Sequence, residues 1–141
     1  MSKDVNVPKL NRLEVFKSNI SYLSKKKIEG TDFKFDITIQ HHVDPKIRNQ
    51  VVVVVAITIL HPEDRGINLG EFTTGHYFDM AAYENHFGLD DDGDLFVKDE
   101  VANVINGIAY STSRGMLFME TKGTTLHQAI LPIVSLEELI K

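Results

Sequence analysis

The sequence contains no cysteine and no tryptophan among its 141 residues. Without cysteine there is no disulfide framework, no thiolate metal site and no redox pair, so zinc-finger and dithiol chemistries are excluded together. Basic residues are the minority sign, 15 Lys and Arg against 20 Asp and Glu, for a formal net charge of −5 and a pI near 5.6. Phosphate backbones and anionic lipid repel such a chain, which argues against a non-specific grip on nucleic acid. Long hydrophobic runs are missing too. The longest, Val51 to Ile57, is far too short to span a bilayer, and the opening Met-Ser-Lys-Asp-Val-Asn-Val-Pro-Lys-Leu lacks the apolar core of a signal peptide. A cytoplasmic protein with no membrane insertion and no nucleic-acid partner is expected. Asn19-Ile-Ser21 matches a glycosylation sequon, but without a secretory signal it is not expected to be used.

What is present is a chain with 43% hydrophobic and 25% charged residues, the composition of one ordinary globular domain. A single domain over residues 1–141 is expected, with 1–12 as a flexible N-terminal segment. Residues 33–40 alternate strictly: Phe33, Phe35, Ile37 and Ile39 share one face and Lys34, Asp36, Thr38 and Gln40 the other, the pattern of a half-buried strand. Gln50 to Leu60 is a β-branched run, apolar on both faces, and reads as a central strand. Turn formers flank it at 42–46 and 61–66. A first strand at roughly Leu13 to Leu23 and a fourth at roughly Ile67 to Met80 complete four strands with no helix between them, so the sheet is expected to be antiparallel. After the acidic loop Asp90 to Asp94 the period changes. Val101, Val104, Ile105 and Ile108 follow helical spacing, with Asp99 and Glu100 in the first turn where the dipole favours anions. Arg114 and Gly115 read as the last turn and stop of that helix. Met116 to Met119 and Ile130 to Val134 flank a polar Gly/Thr loop, and Ser135 to Ile140 opens like a short capped helix. The fold class is therefore α+β: a four-stranded antiparallel sheet, a main helix, a crossover segment and a short C-terminal helix.

No catalytic or metal site emerges from the residue pattern. Ile108-Ala-Tyr-Ser-Thr-Ser-Arg-Gly115 offers hydroxyls, but a nucleophile elbow needs glycine on both sides of its serine, and Ser113 has Gly115 after it and Ser111 before it. Placing Gly93 at the invariant glycine of an EF-hand loop puts Gly88 at the first ligand position, so the calcium register fails. His41 and His42 are adjacent in a strand end and point to opposite faces, while His61, His76, His86 and His127 show no ligand spacing. No cofactor and no metal are expected. Apolar material is in surplus, however: the central strand is apolar on both faces, and Met116 to Met119 and Ile130 to Val134 add more. Burial between subunits, an apolar ligand groove and a well-filled core are the three readings of that surplus.

The order of elements and four local strings resemble the SecB family of cytosolic export chaperones. Phe16-Lys-Ser-Asn-Ile-Ser-Tyr22 is similar to the family's first strand and Phe33 to Ile39 to its second. Leu69-Gly-Glu-Phe-Thr-Thr-Gly-His-Tyr-Phe78 resembles its fourth. Ile105 to Gly115, followed by Leu131-Pro-Ile-Val134 and Leu136-Glu-Glu-Leu139, resembles its helix, crossover and second helix. The resemblance implies an ATP-independent chaperone that holds unfolded or precursor polypeptides and assembles with itself as a dimer or a dimer of dimers, a homotetramer. It further implies an apolar client groove including Tyr77, Phe78, Leu117, Phe118, Met119, Leu131 and Ile133. Leu69 and Glu71 would lie on a solvent face offered to the SecA motor, and Gly70, Phe72 and Thr74 on the face toward helix and partner subunits. Two departures qualify this. Where the family's first strand adds acidic residues to the SecA patch, this chain has Asn19 and Leu23, and its second helix has only about seven residues, which shortens one groove wall. A SecB-like chaperone with one dedicated client, such as the partner of a toxin and antitoxin pair, fits as well as a general export factor. A non-chaperone adaptor or assembly protein on the same scaffold, and a small enzyme with a pocket under the sheet, are the alternatives.

Overall fold

The structure, a computed structural model, describes residues 8–20, 33–44, 46–47, 49–61, 66–80 and 86–122. The segments expected to form a crossover beyond Lys122 and a short C-terminal helix, with Leu131 and Ile133, lie outside these residues. Four strands, β1 (Lys9–Ile20), β2 (Lys34–Val43), β3 (Gln50–Leu60) and β4 (Asn68–Asp79), form one antiparallel sheet in the order β1-β4-β3-β2. The last three make a meander, and β1 closes on the far side of β4, so the first two strands of the sequence are the two edges. β1 starts at Lys9, four residues before the expected strand. Residues 9–12 are therefore paired strand, not flexible segment, with Lys9 opposite Asp79 and Leu10 opposite Phe78.

A short hairpin follows, β5 (Phe87–Leu89) and β6 (Leu95–Val97), and the expected acidic loop is its turn. Asp90 builds it: its side-chain Oδ1 accepts the backbone N–H of Asp92 at 3.0 Å and of Asp94 at 2.8 Å. Gly93 sits at φ +82°, left-handed backbone that few other residues tolerate. The helix α1 then runs from Asp99 to Glu120. Gly115 does not stop it. That glycine keeps a negative φ and stands on the exposed side with open space around it. Glycine in a helix interior costs about 1 kcal/mol relative to alanine, and Leu117, four residues after Ser113, continues the buried stripe and outweighs that penalty. The end comes at Thr121, whose hydroxyl and backbone N–H both bond the Leu117 carbonyl at 3.0 Å. Arg114 is accordingly in mid-helix, and no basic residue lies in the last turn.

α1 covers one face of the sheet. Val51, Val53, Val55, Ile57 and Ile59 of β3 and Phe72, Thr74, His76 and Phe78 of β4 point at it and are fully buried, with Phe35, Ile37 and Ile39 of β2 half-buried beside them. Ala102, Ile105, Ala109, Tyr110, Ser113 and Leu117 form the matching helix stripe. Each fully buried large aliphatic or aromatic side chain contributes about 1.5–3 kcal/mol, so this layer is what seats α1 on the sheet.

Candidate functional site

Polar side chains interrupt the apolar layer between α1 and the sheet at two points, and a third polar pair links helix and sheet at the exposed rim. His41 of β2 pairs through Nε2 with Asn106 Oδ1 at 2.5 Å. Thr74 Oγ1, His76 Nε2 and Ser113 Oγ form a triangle with sides of 2.8, 2.8 and 2.9 Å, all three residues at 0% exposure. Ser18 of β1 donates to Glu120 Oε1 at 3.0 Å. The helix partners 106, 113 and 120 are each seven residues apart, two turns of helix and about 10.5 Å of rise. β2 and β4 are two strands apart, about 9.6 Å, so the first step of the helix matches the spacing of the two imidazoles. His41, Val53, His76 and Leu13 are cross-strand neighbours in one row, and α1 passes over that row toward the far end of β1.

The triangle brings a serine to a histidine, yet it is not built as a nucleophile site. An imidazole nitrogen is either donor or acceptor, so one of the three close pairs carries no hydrogen. His76 Nδ1 is buried with no partner, where a catalytic base would have an orienting carboxylate. Burial also lowers the pKa of His76 to about 4, so the ring is neutral at pH 7.

Beside the free edge of β2 a cleft of about 720 Å³ separates the sheet from the β5–β6 hairpin. Its walls are His41, His42, Val43 and Asp44 at the end of β2, Ile47 in the turn, Gln50 and Val52 of β3, and Asp94 to Val97 of the hairpin. Ile47 and Phe96 are about half exposed, and the Phe96 ring lies where a side chain on Gly88 would stand, so that glycine seats it. Among the described residues no backbone hydrogen bond reaches the outer edge of β2. The combination offers an edge strand, apolar contacts and two carboxylates, Asp44 and Asp94, to an extended chain.

The outer face of the sheet is different in kind. Lys17 pairs with Glu71 at 2.5 Å, which holds the Glu71 carboxyl below its usual range through that hydrogen bond and charge. Arg12 lies 4.0 Å over the Tyr77 ring, and Tyr77 Oη donates to Glu14 at 2.9 Å. Phe16 lies over Gly75, whose missing side chain makes room for the ring.

Among the described residues, those singled out in the sequence do not converge, and Leu131 and Ile133 lie outside them. Tyr77 is on the outer face, Phe78 and Leu117 are core, and Phe118 and Met119 are exposed on the outer side of α1. Leu69, expected on the solvent face beside Glu71, is fully buried: the register shift that leaves Gly70 opposite Ile59 and Asn68 opposite Leu60 breaks the alternation at Leu69. Phe72 and Thr74 lie beneath the chain's own helix, and Gly70 is buried. Asp90, Asp92 and Asp94 bring carboxylates within 4.8 Å of one another, but all are exposed and Asp90 is committed to the turn. The cleft and the polar triangle were missed. The triangle left a trace, since Thr74 and His76 alternate with Phe72 and Phe78, and Ser113 and Asn106 fall on the apolar helix stripe. Buried polar groups at such positions have to find each other.

Among solved structures the chain is similar to the Mycobacterium tuberculosis Rv1957 SecB-like chaperone in complex with a ChAD peptide from the Rv1956 HigA1 antitoxin. The TM-score is 0.58 at 14% sequence identity, over 92% of this chain and 91% of that one. No family model matches the sequence, and no curated protein does. The likeness establishes a SecB-like α+β fold, a four-stranded antiparallel sheet under a long helix. No helix among the described residues is long and apolar enough to cross a membrane.

Proposed function

We propose that this protein is a cytoplasmic, ATP-independent holding chaperone that binds extended, apolar segments of non-native polypeptides. The observation that carries the reading is the cleft at the β2 edge, where main-chain groups with no backbone partner among the described residues adjoin Ile47 and Phe96. An extended chain laid there gains strand hydrogen bonds and buries apolar side chains, and neither gain needs a nucleotide or a metal. Asp44 and Asp94 favour a client with a cationic side chain beside its apolar ones. The fold supports the reading, since a SecB-like chaperone of the same fold was solved with a peptide bound. That peptide comes from an antitoxin, which favours a second version of the reading, one dedicated client in place of many.

Self-association belongs to the proposal. α1 carries only Arg114 as a charge between Val101 and Met119, and its outer side presents Val104, Gly107, Ile108, Ser111, Phe118 and Met119. Leu13, Val15 and Phe16 of edge strand β1 are exposed as well. Apolar helix faces and long apolar edges of this kind are normally covered by another chain. A dimer or dimer of dimers is the expected state.

The test is suppression of aggregation of several unrelated unfolded proteins at stoichiometric chaperone without ATP. Phe96→Asp, or Ile47→Asp in the exposed turn, is expected to weaken binding of an extended apolar peptide at least about tenfold, with the circular dichroism spectrum unchanged. Unaltered peptide affinity in both variants overturns the cleft as the client site. Protection of one client and none of the others selects the dedicated version.

A further inference from the structure

The Thr74–His76–Ser113 triangle is used by nothing described so far, and its burial and geometry give it a consequence of its own. In the neutral ring, Nε2 accepts from one hydroxyl while the hydroxyls bond each other, which ties β4 to the middle of α1. A second proton goes on Nε2, which turns from acceptor to donor and reverses the triangle; Nδ1–H, already present in the neutral ring, has no acceptor to share the added charge. Among the described residues no balancing charge is at hand. From β3 the ring is faced by Val51, Val53 and Val55, and from β1 by Leu13 and Val15; none of them ionises. On β4 its same-face neighbours are Thr74 and Phe78. From α1 it meets Ser113 with Tyr110, Arg114 and Leu117 nearby. Arg114 is a cation and offers no balancing charge, and Tyr110 is held neutral because burial raises its pKa. His41, in the same row two strands away, is occupied with Asn106, and Glu120, two turns further along α1, with Ser18. Arg12 and Glu14 of β1 lie on the opposite face of the sheet. Among the described residues no carboxylate lies against the ring.

We propose that this triangle is an acid-labile latch: protonation of His76 places an unbalanced charge in the buried seam between β4 and α1 and shifts the equilibrium toward release of the central helix from a sheet that stays folded. The sheet can stay folded because its strand ladders do not pass through the helix, whereas the helix has only its apolar stripe and the three polar contacts. Release would uncover Phe72, Phe78 and the odd-numbered residues of β3, a broad apolar surface that is closed at neutral pH.

Amide hydrogen exchange on the full chain between pH 7.5 and 4.5, corrected for intrinsic rates, tests the latch. With the ring at about pKa 4 when closed and an ordinary 6.5 when released, the opening equilibrium at pH 5 rises about 30-fold over its value at pH 7.5. Amides of residues 105–117 are expected to lose protection by about that factor while those of β3 lose far less. Equal loss in β3 overturns a local release, and so does a flat profile in the helix. His76→Leu is expected to make helix protection independent of pH over this range; a pH dependence that persists in it overturns the assignment to His76. If that variant does not fold, an NMR titration of the His76 ring in the unmodified protein decides. Its midpoint has to coincide with the midpoint of helix release, and separate midpoints overturn the latch.

Discussion

The two faces of the sheet hold similar polar chemistry in opposite surroundings. On the inner face, Thr74, His76 and Ser113 meet at hydrogen-bond distance with no exposure at all. On the outer face, Arg12, Glu14, Lys17, Glu71 and Tyr77 meet at similar distances in water. Distance alone would rank them equal. The surroundings do not: an exposed pair exchanges one set of hydrogen bonds for another and contributes about 0–1 kcal/mol, while a buried group that loses its partner suffers a desolvation cost of about 1–3 kcal/mol with nothing to offset it. The inner face is therefore where single substitutions and protons have leverage, and the outer face is where the chain can change without consequence for the fold.

The largest effect expected from this contrast is apolar. Phe72, 1% exposed on the inner face, reduced to alanine in Phe72→Ala, is expected to cost about 3–5 kcal/mol in urea unfolding. Next come the triangle's own members. Ser113→Ala leaves Thr74 and His76 still paired at 2.8 Å and is expected to cost about 1 kcal/mol. Thr74→Val leaves Ser113 on His76 and is expected to cost a similar amount. The double variant leaves His76 with neither nitrogen partnered, and its cost is expected to exceed the sum of the singles by about 1 kcal/mol or more. Strict additivity would mean that the three groups act independently, contrary to a shared acceptor.

How much of this was legible in the sequence follows from which physical signals are local. The alternation of Phe35, Ile37 and Ile39, the β-branched run from Val51, and the spacing of Val101, Ile105 and Ile108 are properties of a few consecutive residues, and the strands and helix they announce are there. The pairing of β1 with β4, not β2, depends on chain geometry over some sixty residues, and no local pattern encodes it. Leu69 was placed on the wrong face because one irregular residue shifts the register, and a period-2 reading cannot see a bulge. Gly115 is a second case: its local preference for ending a helix lost to the burial of Leu117 two residues on. The cleft was invisible for a further reason, since its second wall is the hairpin around Asp90 to Asp94, which reads as loop until Phe87 to Leu89 is seen to pair with Leu95 to Val97.

The smallest expected effect sharpens the comparison most, because it can be read on the same acid titration. Both faces hold a group whose pKa is lowered in the fold, His76 by burial and Glu71 by Lys17. In both cases the unfolded chain binds protons more readily than the native one, so stability is complete above the unfolded pKa and falls as pH drops toward the folded value. For His76 that window runs from about 6.5 down to about 4 and is worth on the order of 3 kcal/mol. For Glu71 the window opens only below the ordinary carboxylate range, and its pair is screened by water and salt. Glu71→Gln is therefore expected to leave the urea midpoint at pH 7 unchanged within error and to leave the slope between pH 6.5 and 4.5 intact, whereas His76→Leu removes that slope. A midpoint at pH 7 that drops measurably in Glu71→Gln would show that the outer face also carries fold stability, and the distinction between the faces would then rest on something other than exposure to water.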